Sequence, residues 1–286
     1  MVSTGCNSLH GKPPGRGFDS PHLLHLTLLG SPFRGRGADA LSPVIARVYH
    51  DSANINRTFL WILGPHRGII RLMKLSTRYQ KSIRSVDDNT ILKPGSNNKK
   101  LGFKITSKKW EGKKLYSLTL VERDTCPTSC HHWNDCYGDN MPFAHRFAIE
   151  GLESKLETEI ASLVSKHPIG IVIRLHVLGD FYSESYVRFW ERMLFEYPTL
   201  CLFGYTGREE YSDIGNAIWF INNRYNERCV IRYSRSKEPT FTHLYAAEES
   251  FTGKSFTCPE QTGKLKNCAS CGLCWSTQKT VRFLSH

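Results

Sequence analysis

Between residues 114 and 234, apolar runs of strand length alternate with amphipathic helical patterns, and this order constrains the fold most strongly. Strands are predicted at 114–121, 171–177, 200–205 and 229–233. Helices are predicted at 151–166, 184–197 and, from a capping box at 206–209, up to residue 223. Repeated strand–helix order is typical of a parallel sheet covered by helices. We therefore expect an α/β protein with a partial βα barrel or an open parallel sheet, since an eightfold barrel needs more elements.

Composition divides the chain into four segments. The first 72 residues contain Gly- and Pro-rich turn signals and little hydrophobic periodicity. They are expected to be a disordered extension, or upstream sequence translated from a misassigned start, with Met73 as the alternative start. The other segments are a basic, loop-rich lead-in with a short strand at 103–106, a βα core and a cysteine-rich C-terminal metal-binding tail: 73–113, 114–240 and 241–286.

Two short apolar runs are candidate membrane or export signals. The patch at 59–63 is too short to span a bilayer, and the run at 22–30 is interrupted by His25. We expect no membrane partner and a cytoplasmic location.

Seven of the ten cysteines fall in two short windows. The loop cysteines, in a C-x3-C-x5-C pattern, are Cys126, Cys130 and Cys136. The tail cysteines, in a C-x9-C-x2-C-x2-C pattern, are Cys258, Cys268, Cys271 and Cys274. Thiolates gathered this closely are typical ligands of an iron–sulfur cluster or zinc. A disulfide framework is the alternative, but it suits small secreted domains rather than a chain that can bury a full core.

The spacing of the tail cysteines favours iron–sulfur over zinc. C-x2-C-x2-C is familiar from ferredoxin-type runs, whereas zinc sites separate cysteine pairs by longer arms. Zinc stays open as the alternative for the tail. In the loop, His131 and His132 are alternative ligands to Cys136, or ordinary loop residues. The remaining cysteines are expected to be small core residues or to lie in the doubtful extension: Cys201, Cys229 and Cys6.

The second predicted strand, 171–177, is apolar on one face and carries Arg174 and His176 on the other. A buried sheet is expected to be apolar on both faces, so these polar side chains cost free energy unless they are paired or used. Arg232 repeats the pattern on the fourth strand. The observation favours a polar, ligand-binding interior; a structural ion pair or a solvent-exposed strand end is the alternative.

Gly179 and Asp180 follow that strand at its carboxyl end, where the functional sites of parallel sheets gather. A glycine permits close backbone approach, and a carboxylate suits a cationic amine. The alternative role of Asp180 is to cap the helix that opens near Ser183.

Positive charge is concentrated between residues 74 and 123, where thirteen Lys or Arg face four Asp or Glu, a net charge of +9 (13 − 4). A field of this sign favours polyanions, so nucleic acid is a candidate partner of the segment. The alternative is an ordinary solvated surface.

Three cysteines on the loop after the first strand, with Leu-Gly-Asp closing the second, resemble the architecture of radical S-adenosylmethionine enzymes. The resemblance implies that the loop cysteines hold a 4Fe-4S cluster with one open iron, which binds S-adenosylmethionine. It implies a cofactor pocket lined by Arg174, His176, Gly179 and Asp180, and a closed auxiliary cluster on the tail cysteines. Cys136 stands three residues later than in the usual C-x3-C-x2-C pattern, and Gly-Asp replaces the more typical Gly-Gly-Glu.

From about residue 95 onward, the chain also resembles a phage- and bacterium-borne family known as "gene product eighty-eight". The shared motifs are Thr-Cys-Pro-x-x-Cys at 125–130, Leu-His-x-x-Gly-Asp-Phe at 175–181 and the cysteine pattern at 258–275. This resemblance implies no particular activity.

Two functions from different classes follow. The first is an iron–sulfur protein with one or two clusters, similar to radical S-adenosylmethionine enzymes, acting on a substrate that the sequence does not name. The second is a non-enzymatic nucleic-acid-binding protein of phage origin that zinc or an iron–sulfur cluster stabilises.

Overall fold

The computed structural model describes residues 45–50, 58–63, 69–71, 77–240 and 243–285 of the chain. The chain divides into two compact units, Met1–Lys74 and Leu75–His286. The division follows Lys74, one residue beyond Met73, where the sequence composition changes.

The first unit contains a three-stranded antiparallel sheet. Its strands are β1 (Ile45–His50), β2 (Thr58–Leu63) and β3 (Ile69–Arg71), and β2 pairs with both neighbours. No strand was predicted here, although β2 is rich in the aromatic and β-branched residues that favour strands. The rest of the expected extension, residues 1–72, lies outside the described residues.

Ten strands and five α-helices are described in the second unit. The strands are β4 (Ile83–Arg84), β5 (Lys93–Pro94), β6 (Lys114–Ser117), β7 (Arg146–Phe147), β8 (Ile171–Leu175), β9 (Cys201–Thr206), β10 (Cys229–Ser234), β11 (Tyr245–Ala247), β12 (Ser255–Thr257) and β13 (Thr280–Arg282). The helices are α1 (Leu152–Lys166), α2 (Glu184–Glu196), α3 (Asp213–Arg224), α4 (Cys268–Cys271) and α5 (Leu273–Ser276). None of the helices in the described ranges combines the length and apolar character that crossing a bilayer requires.

Eight of these strands form one central sheet in the order β12-β13-β11-β10-β9-β8-β6-β5. Neighbouring strands are parallel, except that β5 pairs antiparallel with β6. The prediction of an α/β protein with a mostly parallel sheet is confirmed, and the four predicted parallel strands lie side by side. The order ends at β12 and β5, so closure into a barrel is not supported for the described residues.

Helices α1, α2 and α3 each connect two adjacent parallel strands, so right-handed crossovers place all three on one face of the sheet. Their apolar stripes, including Ile160, Trp190 and Ile218, join the inward side chains Ile173 and Ile231 in one buried cluster. Alternation along the strands therefore leaves the opposite face for a different cover.

The cysteine-rich segment provides that cover. Trp275 of α5 is almost fully buried, stacks on Trp110 with 5.4 Å between ring centroids, and lies 4.7 Å from the Phe203 ring of β9. Removing an indole buried in this way costs about 3–5 kcal/mol. Because β12 and β13 also extend the sheet, this segment is a layer of the second unit and not an appended tail.

Two local predictions are wrong. The expected strand at 103–106 is reduced to a single bridge between Lys104 and Lys114. The expected capping box at 206–209 does not open α3, which begins at Asp213 after Ser212, whose hydroxyl accepts from the Gly215 amide. Thr206 cannot cap because it is the last residue of β9 and its hydroxyl donates to Asp180.

Candidate functional site

Three loops meet at the carboxyl edge of the sheet, after β6, β8 and β9. The Asp180 amide donates to the Thr125 hydroxyl at 3.1 Å, which joins the second loop to the first. Arg208, in the third loop, donates to the carbonyls of Thr125 at 2.8 Å and Phe181 at 2.7 Å. Hydrogen bonds within the protein therefore fix the base of the loop that carries Cys126, Cys130 and Cys136.

Two ion pairs bracket the loop cysteines. Glu122 and Arg146 are fully buried, with Arg146 Nε 2.8 Å from Glu122 Oε2. Arg123 binds Asp139 through two hydrogen bonds of 3.1 and 2.9 Å. Further donors of Arg146 are taken by the backbone carbonyls of Gly138, Met141 and Ala144. Removing one partner of a buried ion pair costs about 3–5 kcal/mol. The two ion pairs therefore hold this loop in place independently of a ligand.

The loop cysteines are half-buried free thiols above the strand ends. A Cβ built on Gly207, the residue after β9, would lie 3.7 Å from Cys130 Sγ and 3.4 Å from Asp180 Oδ2. Burial raises the pKa of Cys126 and Cys130, and the Asp180 carboxylate raises both further. Burial also raises the pKa of Cys136. These thiols are therefore protonated at neutral pH unless a cation compensates the thiolate.

The tail cysteines are brought together by a tight reversal of the backbone. Helix α4 places Cys268 and Cys271 one turn apart, and Gly272 (φ +69°) turns the chain into α5, which carries Cys274. Cys258 comes from the end of β12, and its amide donates to the Arg282 carbonyl at 2.9 Å. The left-handed backbone at Gly272 is one that side chains rarely adopt.

Electrostatic interaction among the tail thiols indicates that they are near neighbours. Burial raises the pKa of Cys268 to about 12, and Cys274 and Cys258 contribute to that rise. Burial likewise raises the pKa of Cys271 and Cys274, and Cys258 adds to both shifts. Four soft donors thus share one buried region.

The donor chemistry fits a soft metal centre, but no site for a single ion is formed. Within the described ranges, no three His, Cys, Asp or Glu side chains converge closely enough to hold one metal ion. All nine cysteines in those ranges are free thiols, so no disulfide framework is present there. The loop histidines His131 and His132 are both exposed, and His132 Nδ1 lies 3.4 Å from the Asp135 carboxylate. Two further cysteines are buried in strands, as predicted: Cys201 and Cys229.

Arg174, on β8, interacts electrostatically with two of the tail cysteines, Cys268 and Cys274. It is half-buried, its guanidinium carbon is 5.4 Å from the Tyr205 ring centroid, and its buried Nε has no hydrogen-bond partner. Burial opposes its charge, yet Tyr137, Tyr205 and the thiols of Cys268 and Cys274 raise its pKa overall. A cation with a free donor therefore lies near the tail thiols of Cys268 and Cys274, and near Tyr137, which follows the loop cysteine Cys136.

His176 does not share the face of Arg174. Strand β8 ends at Leu175, and His176 has a left-handed backbone (φ +56°) that breaks the strand alternation. Its ring lies edge-on to Phe181 at 4.6 Å, and Nε2 is 3.2 Å from the Tyr186 hydroxyl. Burial, with the charges of Arg174 and Arg208, lowers the pKa of His176 to about 3. His176 is therefore neutral at pH 7, and its buried Nδ1 has no partner among the described residues.

Gly179 and Asp180 are tightly built into the framework. A Cβ on Gly179 (φ +84°) would lie 2.6 Å from both Leu120 Cβ and Thr125 Oγ1. The Asp180 carboxylate accepts from three protein donors: Phe181 N at 2.7 Å, Thr206 Oγ1 at 2.8 Å and Gly207 N at 2.7 Å. Burial raises its pKa, whereas Arg208 and these donors lower it. Asp180 is not the helix cap, because Ser183 caps α2; a direct contact with a cofactor stays a prediction.

The interior polar residue Arg232 serves the cysteine-rich layer. It is fully buried and donates to the carbonyls of Cys274 at 2.8 Å and Lys279 at 3.0 Å.

Arg208, which was not predicted as a site residue, follows β9 just as Asp180 follows β8. The signal was present, because Thr206-Gly207-Arg208 is a polar strand end of the same kind as Gly179-Asp180.

Much of the basic segment supports the fold. Lys113 donates to two backbone carbonyls at 2.9 and 2.7 Å, and Lys114 lies over the Phe103 ring. Lys100 and Lys109 form ion pairs of 3.3 and 3.7 Å. Between residues 99 and 114, the exposed lysines that have no such partner are Lys99, Lys104 and Lys108.

No protein-family model, curated protein or solved structure matches the chain. The resemblances drawn from its motifs therefore stay predictions. The chemistry of the site has to be inferred from its own residues.

Proposed function

We propose that the protein is an iron–sulfur protein with two cluster sites, and that the site on the loop cysteines is catalytic, as in radical S-adenosylmethionine enzymes. The observation that carries the proposal is the separation of three free thiols at the carboxyl edge of a parallel sheet from four thiols in the layer below, with Arg174 near two of those four. Three thiols leave one iron of a four-iron cluster open, whereas four close it.

The arrangement favours clusters over zinc. A structural zinc ion requires four ligands around one point, and no three described side chains converge in that way. The thiols that bind a cluster attach to different iron atoms, so they are spaced more widely than the ligands of one ion. Their raised pKa values favour a metal centre of either kind over free thiolates, because a bound metal stabilises the thiolate that burial disfavours.

When bound, a cluster with an open iron would supply an electron for reductive cleavage of S-adenosylmethionine. The chain supplies positioning and charge. Arg174, with an unused Nε donor, is suited to an anionic group such as a carboxylate. The Asp180 hydrogen bonds join the second loop to the third, and Asp180 N holds the first, so Asp180 is a positioning residue. Neutral His176 adds no charge of its own.

The alternative function, a metal-stabilised nucleic-acid-binding protein, gains less support from the segment that suggested it. Four of the seven lysines between 99 and 114 have partners within the fold. Nucleic-acid binding through this stretch would depend on Lys99, Lys104 and Lys108, which are exposed. The exposed cations at the start of the basic segment, Arg78, Lys81 and Arg84, favour a nucleic-acid partner more strongly.

Anaerobic reconstitution with iron and sulfide tests the proposed function. We expect brown protein with the visible absorption typical of 4Fe-4S clusters. We also expect the electron paramagnetic resonance spectrum of the reduced protein to change when S-adenosylmethionine is added. Colourless protein that retains only zinc would refute the iron–sulfur assignment. Clusters with a spectrum that S-adenosylmethionine leaves unchanged would refute the enzymatic part alone.

A further inference from the structure

An open cleft of about 630 Å³ lies between the segment 78–84 and the loop 142–145, and no cysteine is among its lining residues. Its lining includes Arg78, Lys81 and Arg84, and no acidic side chain. Ligand-binding clefts typically have volumes of about 300–1,000 Å³, so this cleft is large enough for a nucleotide-sized group.

The cationic side chains of the cleft are available to a ligand. All three are exposed. Lys81 and Arg84 have no carboxylate partner in the described part of the chain, and Arg84 Nη1 is held by the Lys81 carbonyl at 3.0 Å. Arg78 lies 3.7 Å from Asp139, whose carboxylate already accepts two hydrogen bonds from Arg123. The cleft therefore has an excess of positive charge, of which Asp139 offsets only the part at Arg78.

The floor of the cleft is rigid because it shares the buried Arg146 anchor with the cysteine loop. Strand β4 pairs with β7 through Ile83 and Arg146, and Arg146 donates to the Ser82 hydroxyl at 3.0 Å. The Arg146 guanidinium lies 5.3 Å from the Tyr79 ring centroid. A preformed cleft binds a ligand without the additional cost of ordering its own backbone.

An aromatic side chain is fully presented at this cleft. Phe143 is 93% exposed, the largest value among the exposed large apolar residues of the described ranges. Beside it, burial and the charges of Arg84 and Lys93 lower the pKa of His145, so its ring is neutral at pH 7. Aromatic faces combined with cations are the usual surface for unpaired bases, which stack on rings while their phosphates bind the cations.

We propose that this cleft binds single-stranded nucleic acid, with a base stacked on Phe143 and phosphates at Arg78, Lys81 and Arg84. A duplex hides its base faces within the stack and would leave Phe143 without a partner. No cysteine lines the cleft, so the proposal goes beyond the proposed function and does not rest on it.

Fluorescence anisotropy with the full chain and a labelled twelve-residue oligothymidylate tests the proposal. Because each phosphate contact on a single strand contributes about 0.7 to the salt dependence, the three cations predict a slope of about −2 for log affinity against log salt. Lys81→Ala and Arg84→Ala should each reduce the magnitude of this slope by about 0.7, whereas Lys166→Ala, at an exposed site on α1, should not.

Loss of stacking is tested by Phe143→Ala, which should weaken binding about tenfold. Phe195→Ala is the matched control, because Phe195 is 71% exposed on α2 and distant in sequence from the cleft lining. Circular dichroism confirms that both variants fold.

Three outcomes would overturn the proposal. The first is equal affinity for duplex and single-stranded DNA, and the second is an equal loss of affinity in the two phenylalanine variants. The third is a loss of affinity in Lys99→Ala/Lys104→Ala/Lys108→Ala that Arg84→Ala does not show. Binding of tripolyphosphate as tightly as the oligonucleotide would reduce the cleft to a phosphate site. Binding only to phosphatidylserine vesicles would assign it to a membrane surface.

Discussion

The buried Arg232 side chain of β10 donates through Nε to the backbone carbonyl of Cys274, at 2.8 Å. Its other nitrogens reach the carbonyls of Tyr245, Thr277 and Lys279. One cation of the sheet thus satisfies the backbone of the segment that carries the tail cysteines. The geometry of that cysteine group therefore depends on the sheet beneath it.

Arg232→Met should destabilise the second unit by about 3 kcal/mol, because it leaves several buried carbonyls without donors and each such loss costs about 1–3 kcal/mol. Urea unfolding measures the change. Arg188→Met, on the exposed face of α2, should shift stability by less than about 0.5 kcal/mol. Equal effects in the two variants would contradict the role given to Arg232.

Gly272→Ala should cost more stability than Gly263→Ala, although both glycines have left-handed backbones with φ near +70°. A Cβ at Gly263 meets nothing within 4 Å, whereas one at Gly272 would lie 2.6 Å from Ser107 Cβ. Backbone strain of about 1–2 kcal/mol is common to both, so the difference between their unfolding free energies reports the close contact at the tail cysteines. Equal costs would show that the close approach does not matter.

Asp180→Asn should lower stability by about 1–3 kcal/mol, because the amide replaces an acceptor that takes hydrogen bonds from three protein donors. From the sequence alone, this substitution is expected to weaken cofactor binding without expelling the metal, or to preserve the cap if Asp180 caps a helix. Chemical unfolding of the metal-free variant distinguishes these outcomes. A variant as stable as the wild type would contradict the framework role of Asp180.

His176 predicts an acid-sensitive fold. Its folded pKa, lowered to about 3, lies below the unfolded value of about 6.5, so the unfolded state binds the extra proton between these values. Stability should therefore decrease as pH falls below about 6.5, by up to about 1.4 kcal/mol per pH unit.

His176→Asn should remove this component, because asparagine does not titrate and tolerates the left-handed backbone. The measurement is unfolding free energy of the metal-free protein between pH 7 and 5. His131→Asn, at an exposed loop position, serves as the matched control. An unchanged acid slope in His176→Asn would contradict the assignment.

The parallel strands and the helices α1 and α2 could be predicted because their signals are local. These signals are the apolar period along each element, the cap Ser183 at the start of α2 and the break after Lys166 at the end of α1. The position of His176 could not be predicted, because one left-handed residue reverses the face of the side chain. The Glu122–Arg146 ion pair and the Trp110–Trp275 stack could not be predicted either, because the two partners of each are far apart in sequence.

The candidate site was predictable in outline only. The loop cysteines and the polar end of β8 were expected at one edge of the sheet, since parallel strands end together there, and the structure brings these residues together at that edge. The three protein donors to Asp180 come partly from β9 and the residue after it, so its framework role required the strand pairing. The capping-box pattern at 206–209 was misleading because the sequence does not show that Thr206 ends a strand.

Iron stoichiometry of reconstituted cysteine variants tests the two-cluster assignment most directly. The wild type should bind about eight iron atoms, four per cluster, and Cys126→Ser/Cys130→Ser/Cys136→Ser should retain about four while staying folded. Cys271→Ser/Cys274→Ser should lose the other four and also lose stability, because metal binding there contributes to folding. Cys201→Ser, a buried cysteine outside both groups, should keep both clusters. Full iron content in the loop triple variant, or iron-free wild-type protein, would contradict the assignment.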